Sequence, residues 1–496
     1  MVYTDSVSTR GTLRDQVLAI AHPNVPTADI QVHQQNEQTV LIYTSGDRVE
    51  GEVLVKSAQD CRFDSVHITL DGFSKTYVEN MAATTATTSR SDAFHPFLKL
   101  EMPTNEALYP QPRIFAAGQT YRFPFTFVIP HQLLPGSCSH TCDSDAIHQA
   151  HLRLPPTLAD RNSVEEGQKM LYDFGPMMTR VSYGIKVAIR RHRQSDDKDV
   201  LLVEKIRKIR VMPASQEEPP LSVDDQDREY RLRKEKVMKK GLFKGKMGSI
   251  VVDAAQPKSL CLPPPRSVAG QTSSTMLCLV VRFDPTNDSV DPPRLGVLTS
   301  KLKVNTYYAS RPMNDVPRRS GPLIGRLRGL FAEHVTLSSR CVQSAQWTRF
   351  DPTDLRRDSA WSSASTATGS EGPIPLASDT YKGGIFYTSK VLVPVSLPKD
   401  KTFVPTFHSC LLSRVYVIEL GLQVHTPSST RRQYTLKLRV PVQVTQARNF
   451  ATSAANVIAE EEAAVDSFFD PRTTTPTDTM LAQASQPLPS ARAPTV

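Results

Sequence analysis

The feature of this sequence that most constrains its fold is a period-two alternation of apolar and polar residues. From Tyr121 to Ile129, every second residue is aromatic or aliphatic, and the residues between them include Arg122 and Thr126. Successive side chains of a strand point to opposite faces of the sheet, so such a run is typical of a half-buried antiparallel strand. Similar runs recur along most of the chain and predict an all-β protein.

The alternating runs fall into two blocks. Runs of the first block lie at 48–56, 66–70, 121–129 and 181–189, and runs of the second at 277–283, 302–308, 391–395, 414–424 and 434–442. A block of roughly 180 residues can bury about 70% of its unfolded surface and support its own core. We therefore predict two tandem antiparallel immunoglobulin-like β-sandwiches, at 25–211 and 259–446.

The segment between the blocks, 212–258, is predicted to be a basic linker. Within it, Arg228–Lys246 contains nine basic and two acidic residues and so carries +7 of the chain's formal net charge of +9. We predict one helix there, over Asp227–Met238. Because the rest of the chain is nearly neutral, the charge indicates one local patch and not a general nucleic-acid binder.

Two further segments lack the strand pattern. A Ser-, Thr- and Ala-rich stretch predicts a mobile insertion near 351–378 in the second sandwich. Beyond 446 the alternation stops, and we predict a tail over 447–496 that begins with a short acidic helix and continues as disordered chain.

Cysteine usage and hydropathy favour a cytoplasmic protein. The seven cysteines are scattered and odd in number, unlike a secreted disulfide framework. No run approaches the ~18–20 apolar residues of a membrane-spanning helix, and the N-terminus lacks the pattern of a secretory signal. We expect a protein that reaches membranes only from their surface.

The basic run supplies the candidate binding site. Clustered cations attract anionic lipid headgroups, and the arginine fork binds phosphate with two hydrogen bonds. The candidate residues for anionic lipid or phosphate are Arg231, Arg233, Lys234, Lys236, Lys239, Lys240, Lys244 and Lys246. The alternative is a solvated linker, or a helix packed on its own domains through Leu232, Val237 and Leu242.

A second group of residues with possible chemistry lies in the segment CSHTCDSDAIHQAH. Cys138, His140, Cys142, His148 and His151 cluster there. Two Cys and two His, taken as Cys138, Cys142, His148 and His151, raise the question of a metal site, because thiolate and imidazole are the preferred ligands of zinc. The five residues between Cys142 and His148 are far fewer than the ~12 of a zinc finger. We therefore interpret the four as ordinary loop residues and predict no metal, with metal binding left open.

Motifs of catalysis are missing from the sequence. It contains no phosphate-binding Walker loop, no Gly-x-Ser-x-Gly elbow, no His-Glu-x-x-His pair and no EF-hand loop. We predict that the protein is not an enzyme and has no catalytic residue and no cofactor.

Several motifs resemble those of arrestins. The run YTSGDRVEGEVLV at 43–55, the strand ITLDG at 68–72 and the run AGQTYRFPFTFVIP at 117–130 resemble an arrestin N-terminal domain. In the second block, PTFHSC at 405–410 and LRVPVQV at 438–444 resemble an arrestin C-terminal domain. Over about 28–445, the chain is similar to the fungal arrestin-related trafficking adaptors.

The resemblance implies an arrestin fold and an adaptor role. Such proteins bind cytoplasmic parts of membrane transporters or receptors at the plasma membrane or endosomes, and many recruit a HECT-type ubiquitin ligase that promotes endocytosis. Recruitment usually requires a Pro-Pro-x-Tyr peptide, which this sequence lacks. A non-standard proline motif or a second adaptor would then take its place. An anionic membrane surface is a further candidate partner of the protein. Nucleic acid is not an expected partner.

A second functional class stays open. A retromer-type scaffold or coat subunit shares the double sandwich but holds stable soluble partners. The two classes differ in their partners, which the sequence does not name.

Overall fold

The computed structural model of the protein describes residues 25–33, 41–81, 88–103, 106–160, 172–193, 197–224, 227–239, 245–265, 273–319, 326–351, 375–426 and 433–448. Strands dominate these residues, and the predicted all-β class with antiparallel sandwich sheets is confirmed.

The strands of the first sandwich are β1 (Thr27–Val32), β2 (Ile42–Tyr43), β3 (Arg48–Lys56), β4 (Cys61–Arg62), β5 (Ser65–Met81), β6 (Thr88–Glu101), β7 (Ile114–Phe115), β8 (Thr120–Val128), β9 (Thr179–Arg193) and β10 (Lys198–Val211). The helical pieces among them are α1 (Asp145–His151) and two 3-10 turns, Glu106–Leu108 and Pro135–Ser137. No helix in the described part of the chain is long and apolar enough to span a bilayer.

The strands of the second sandwich are β11 (Arg233–Lys239), β12 (Lys246–Ala254), β13 (Leu260–Leu262), β14 (Ser274–Pro285), β15 (Arg294–Ala309), β16 (Arg328–Cys341), β17 (Thr348–Phe350), β18 (Phe386–Ser396), β19 (Phe407–His408), β20 (Leu412–His425), β21 (Gln433–Val442) and β22 (Val444–Gln446).

The first sandwich has a sheet of order β1-β3-β8 and a sheet of order β2-β10-β9-β5-β6. The alternation predicted for β8 is confirmed, since Phe123, Phe125 and Phe127 are buried and the residues between them are exposed. On β3, Gly51 lies opposite Phe125, and a Cβ there would come within 2.6 Å of that ring. The missing side chain thus lets an aromatic ring fill the middle of the core.

The second sandwich has a sheet of order β11-β12-β14-β18-β17 and a sheet of order β16-β15-β20-β19, with β21 also paired to β20. Its core lies between these sheets and includes Val281, Val393 and Ile418. The strands β13 and β22 pair in parallel and form a separate two-stranded sheet.

The helix predicted over Asp227–Met238 is wrong. Arg233–Lys239 form strand β11, which pairs antiparallel with β12 from Arg233 opposite Asp253 to Lys239 opposite Lys246. Met238 is fully buried in the second core. The local sequence favours a helix here, but hydrogen bonding to the edge of β12 stabilises a strand instead. Much of the predicted linker therefore belongs to the second sandwich, and the domain boundaries stay predictions.

Two predicted segments lie largely outside the described residues. The insertion near 351–378 is described only at 351 and 375–378, and the tail over 447–496 only at 447 and 448.

The two sandwiches belong to one compact unit and share a packed boundary. Phe407 and Leu412 of the second sandwich pack into the core cluster of the first. In the opposite direction, Phe174 precedes β9 of the first sandwich but packs into the second core, with its ring centroid 5.3 Å from that of Phe403.

Candidate functional site

The basic segment forms a β-hairpin at the edge of the second sandwich. Among the described residues, strand β11 is the terminal strand of its sheet and pairs only with β12. Just before it, the backbone groups of Arg231 and Arg439 exchange two hydrogen bonds of 2.9 Å, which attach the start of the hairpin to β21. The hairpin is therefore part of the second sandwich's sheet and is fixed to β21 at its start.

The eight predicted residues separate into three groups. Four are exposed: Arg231, Lys236, Lys239 and Lys246. Arg233 and Lys234 are half-buried, whereas Lys240 and Lys244 lie outside the described residues. Along β11, Met238 is buried, Lys236 and Lys239 are exposed, and the other residues are half-buried.

Arg233 is engaged in a structural role. Its guanidinium donates hydrogen bonds of 2.9 Å to the carbonyl oxygens of Leu376 and Ala377, and it lies 3.9 Å from the carboxylate of Glu235. This side chain holds the segment that precedes β18 against β11, so it contributes little charge for an outside ligand.

The loop end of the hairpin, where β11 ends and β12 begins, concentrates unpaired positive charge. Lys239 and Lys246 are directly opposite each other on β11 and β12, and both are exposed. Within the described residues, neither forms an ion pair with a carboxylate. Like charges directly opposite on neighbouring strands destabilise the pairing. A bound anion would relieve that repulsion, so this end of the hairpin is the part of the basic segment best suited to bind one.

A buried polar network lies at the boundary between the sandwiches. Lys208 donates a 2.6 Å hydrogen bond to the carboxylate of Asp160, and both side chains are almost fully buried. The carboxylate of Asp173 accepts hydrogen bonds from the backbone N–H groups of Ala159 and Gly175. These contacts hold the segment that carries Phe174 toward the second sandwich.

Arg414 joins that network from the second sandwich. Its guanidinium is fully buried and donates hydrogen bonds of 3.2 and 3.1 Å to the carbonyl oxygens of Asp173 and Phe174. Nearby, burial lowers the pKa of Arg210, against the opposing effect of the Asp173 and Asp160 charges. The network fixes how the two sandwiches contact each other.

Sequence reasoning missed this network, although Arg414 carries a detectable signal. It has the same strand parity as Tyr416 and Ile418, which are buried. A charged residue at a core-facing position needs a buried partner, and such a position can be recognised from alternation alone. Its partners on the 172–175 segment could not be recognised from the sequence, because they are about 240 residues away along the chain.

The structure brings Cys138, Cys142 and His151 together but excludes His148. His140 joins the group instead, so that the ligand-type atoms of these four residues all lie within 4.8 Å of one another. His408, the last residue of β19, contacts His151 across the boundary.

Comparisons with known proteins point to one family. Residues 30–210, from β1 to β10, match the family model described as arrestin (or S-antigen), N-terminal domain. Over 230 residues the chain is 26% identical to "Bypass of stop codon protein 5" of Saccharomyces cerevisiae. That match covers 38% of this chain and 46% of the yeast protein, so the chain spans less than half the length of that relative.

Proposed function

We propose that this chain, which is similar to arrestins over its N-terminal domain, is a non-enzymatic adaptor. It binds cytoplasmic parts of membrane transporters or receptors and promotes their ubiquitin-dependent endocytosis. The observation that carries the proposal is the match of 30–210 to the arrestin N-terminal domain, on a chain with a second sandwich packed against the first.

Open sheet edges beside the boundary support binding of extended cargo peptides. In the described residues, β6 pairs only with β5, and β16 pairs only with β15. The inner strands β5 and β15 meet where Thr76 Oγ1 donates a 2.5 Å hydrogen bond to the carbonyl oxygen of Ala309. The unpaired backbone groups of β6 and β16 offer a peptide the chance to add as a further strand.

The lysine-rich end of the hairpin supports recruitment to an anionic membrane surface. Each lysine near a charged bilayer contributes about 1 kcal/mol of attraction. Lys236, Lys239 and Lys246 are exposed on β11 and β12. In this proposal the protein is cytoplasmic and is recruited peripherally to the plasma membrane or endosomes, where its cargo is located.

Recruitment of a HECT-type ubiquitin ligase is the remaining part of the proposal. The sequence has no Pro-Pro-x-Tyr peptide. The ligase is therefore bound through a different proline motif or through a second adaptor.

Affinity capture of the tagged full chain at its normal expression level tests the adaptor function. We expect integral membrane transporters or receptors to be recovered together with ubiquitin-ligase components, and an unrelated protein carrying the same tag to recover neither. Loss of the gene should also slow ligand- or substrate-induced removal of the captured transporter from the cell surface.

A stable soluble assembly would contradict the adaptor function. If size exclusion of the native protein gives a constant large complex without membrane cargo or ligase, the scaffold or coat-subunit class is favoured instead.

A further inference from the structure

The cluster of Cys138, His140, Cys142 and His151 is built from three consecutive local features. Cys138 follows the 3-10 turn Pro135–Ser137, and Cys142 lies one short loop further on. Helix α1 then begins behind Ser144, whose Oγ accepts a hydrogen bond from the backbone N–H of Ile147. His151 is the last residue of that helix, so the capped helix turns its imidazole back onto the two thiols.

Four of the six distances among the ligand atoms match the edges of a tetrahedron around one ion, and all six are within 4.8 Å. The two sulfur atoms are 3.9 Å apart. Cys138 Sγ lies 3.4 Å from His140 Nε2 and 3.6 Å from His151 Nδ1, and Cys142 Sγ also lies 3.6 Å from His151 Nδ1. A tetrahedral zinc ion with Zn–S of about 2.3 Å and Zn–N of about 2.05 Å requires about 3.8 Å between sulfurs and about 3.5 Å between sulfur and nitrogen.

The hydrogen bonds of both imidazoles leave the ligand nitrogens free. His140 Nδ1 donates to the carbonyl oxygen of Thr141 at 3.0 Å, which leaves the lone pair of Nε2 directed at Cys138. His151 Nε2 lies 3.2 Å from His408 Nε2, so it can donate there and keep the lone pair of Nδ1 for the cluster. Outer hydrogen bonds of this kind orient the histidine ligands of metal sites.

A disulfide does not account for the arrangement. The Cys138 and Cys142 sulfurs are far beyond the 2.05 Å of an S–S bond, and both cysteines are free. Cys138 and His151 are 4% and 1% exposed, so a thiol and an imidazole are buried together at the end of a helix. Polar groups buried in this way need partners, and a shared cation supplies one to all four.

We propose that Cys138, His140, Cys142 and His151 bind one zinc ion in a closed tetrahedral site. Two thiolates and two imidazoles favour zinc over calcium or magnesium, which prefer oxygen ligands. Binding replaces the two thiol protons, which pass to solvent. All four coordination positions are filled by the protein, so the ion is structural.

The site adjoins the second sandwich, and this location gives the ion a role in the whole fold. His408 contacts His151, and Cys410 is buried near Cys138. On the opposite side of the loop, Asp143 and Asn314 exchange two hydrogen bonds of 2.8 Å. Ordering 138–151 around zinc therefore stabilises the surface on which the second sandwich packs.

The test uses the full chain with an affinity tag that contains no histidine, purified in a non-chelating reductant. Elemental analysis should find about one zinc ion per chain. After chelation, added Co²⁺ should give visible absorption bands of tetrahedral intensity and a thiolate-to-cobalt charge-transfer band in the near ultraviolet.

Variants at the partly exposed ligands assign the site. Cys142→Ser and His140→Gln should lose most of the zinc and the tetrahedral cobalt bands. His148→Gln and Cys261→Ser are the matched controls, since His148 is on the same helix and Cys261 is an exposed thiol; both should keep the metal. If the ligand variants fail to fold, as judged by circular dichroism, the cobalt spectrum of the unaltered protein decides whether a tetrahedral thiolate site is present.

Either of two results would overturn the proposal. One is a folded, reduced protein that carries no zinc and gives no tetrahedral cobalt bands. The other is a disulfide between Cys138 and Cys142 in protein purified without reductant, seen as a loss of two titratable thiols and of two hydrogens in mass.

Discussion

At the scale of single residues, the first sandwich contains a buried ion pair, Lys208 and Asp160. The Lys208 and Asp160 side chains are 7% and 0% exposed. Removing one partner of a buried ion pair leaves the other charge in a poorly hydrated site, which is much more costly than losing an exposed pair. Asp29 and Lys205 form such an exposed pair, with an N–O distance of 3.0 Å.

We expect Asp160→Ala to lower the free energy of unfolding by about 3–5 kcal/mol, because the ammonium of Lys208 loses its buried carboxylate. Asp29→Ala should lower it by about 1 kcal/mol or less, because Lys205 can turn to water. Urea unfolding of both variants provides the measurement. Equal losses in the two variants would show that the buried Lys208–Asp160 pair contributes no more to stability than the exposed one.

At the scale of elements, the β11–β12 hairpin combines a structural and a surface role. Met238 anchors β11 in the second core, while Lys239 and Lys246 face each other at the loop end of the hairpin. Such a hairpin presents cations from a rigid base, with less conformational entropy to lose on binding than a flexible linker has.

We expect the combined change of Lys236, Lys239 and Lys246 to Gln to weaken binding to phosphatidylserine-containing vesicles on the order of 100-fold, at about 1 kcal/mol for each lysine. Vesicle co-sedimentation at fixed salt measures it. The matched control changes the exposed Lys56, Lys99 and Lys198 to Gln, which lowers the net charge equally at other strands. If both triple variants bind alike, the hairpin is not the membrane site.

At the scale of the whole molecule, Arg414 links the second sandwich to the segment that carries Phe174. Its two hydrogen bonds end on backbone carbonyl oxygens, which would be buried without a donor if the guanidinium were removed. A buried acceptor that loses its donor costs about 1–3 kcal/mol. Losing these two hydrogen bonds would weaken the contact between the two sandwiches first.

We expect Arg414→Met to speed amide hydrogen exchange in 172–178 and 407–412, since local opening of the boundary becomes easier. Exchange followed by mass spectrometry measures the rates segment by segment. Arg122→Met is the control, because Arg122 pairs with Glu52 at the surface of β3 and β8. Unchanged exchange at 172–178 in the Arg414 variant would mean that apolar packing alone holds the boundary.

The sequence predicted the strands well where the pattern is local. In β3 and β8, residues two apart share a face whatever the rest of the chain does, so alternation identifies Val53 and Phe123 as core residues. The prediction was wrong for Asp227–Met238. Its charged residues are typical of a solvated helix. Backbone pairing of Arg233–Lys239 with the edge of β12 stabilises a strand instead.

By itself, the sequence determined the all-β class, the two blocks of strands and the location of the charge, because these depend on neighbouring residues. Only the tertiary structure decided which distant side chains meet. His151 and His408 are in contact although 257 residues separate them, and His140 replaces His148 among the clustered residues through the direction of one loop. Such contacts depend on how two sandwiches pack, and no local pattern encodes that packing.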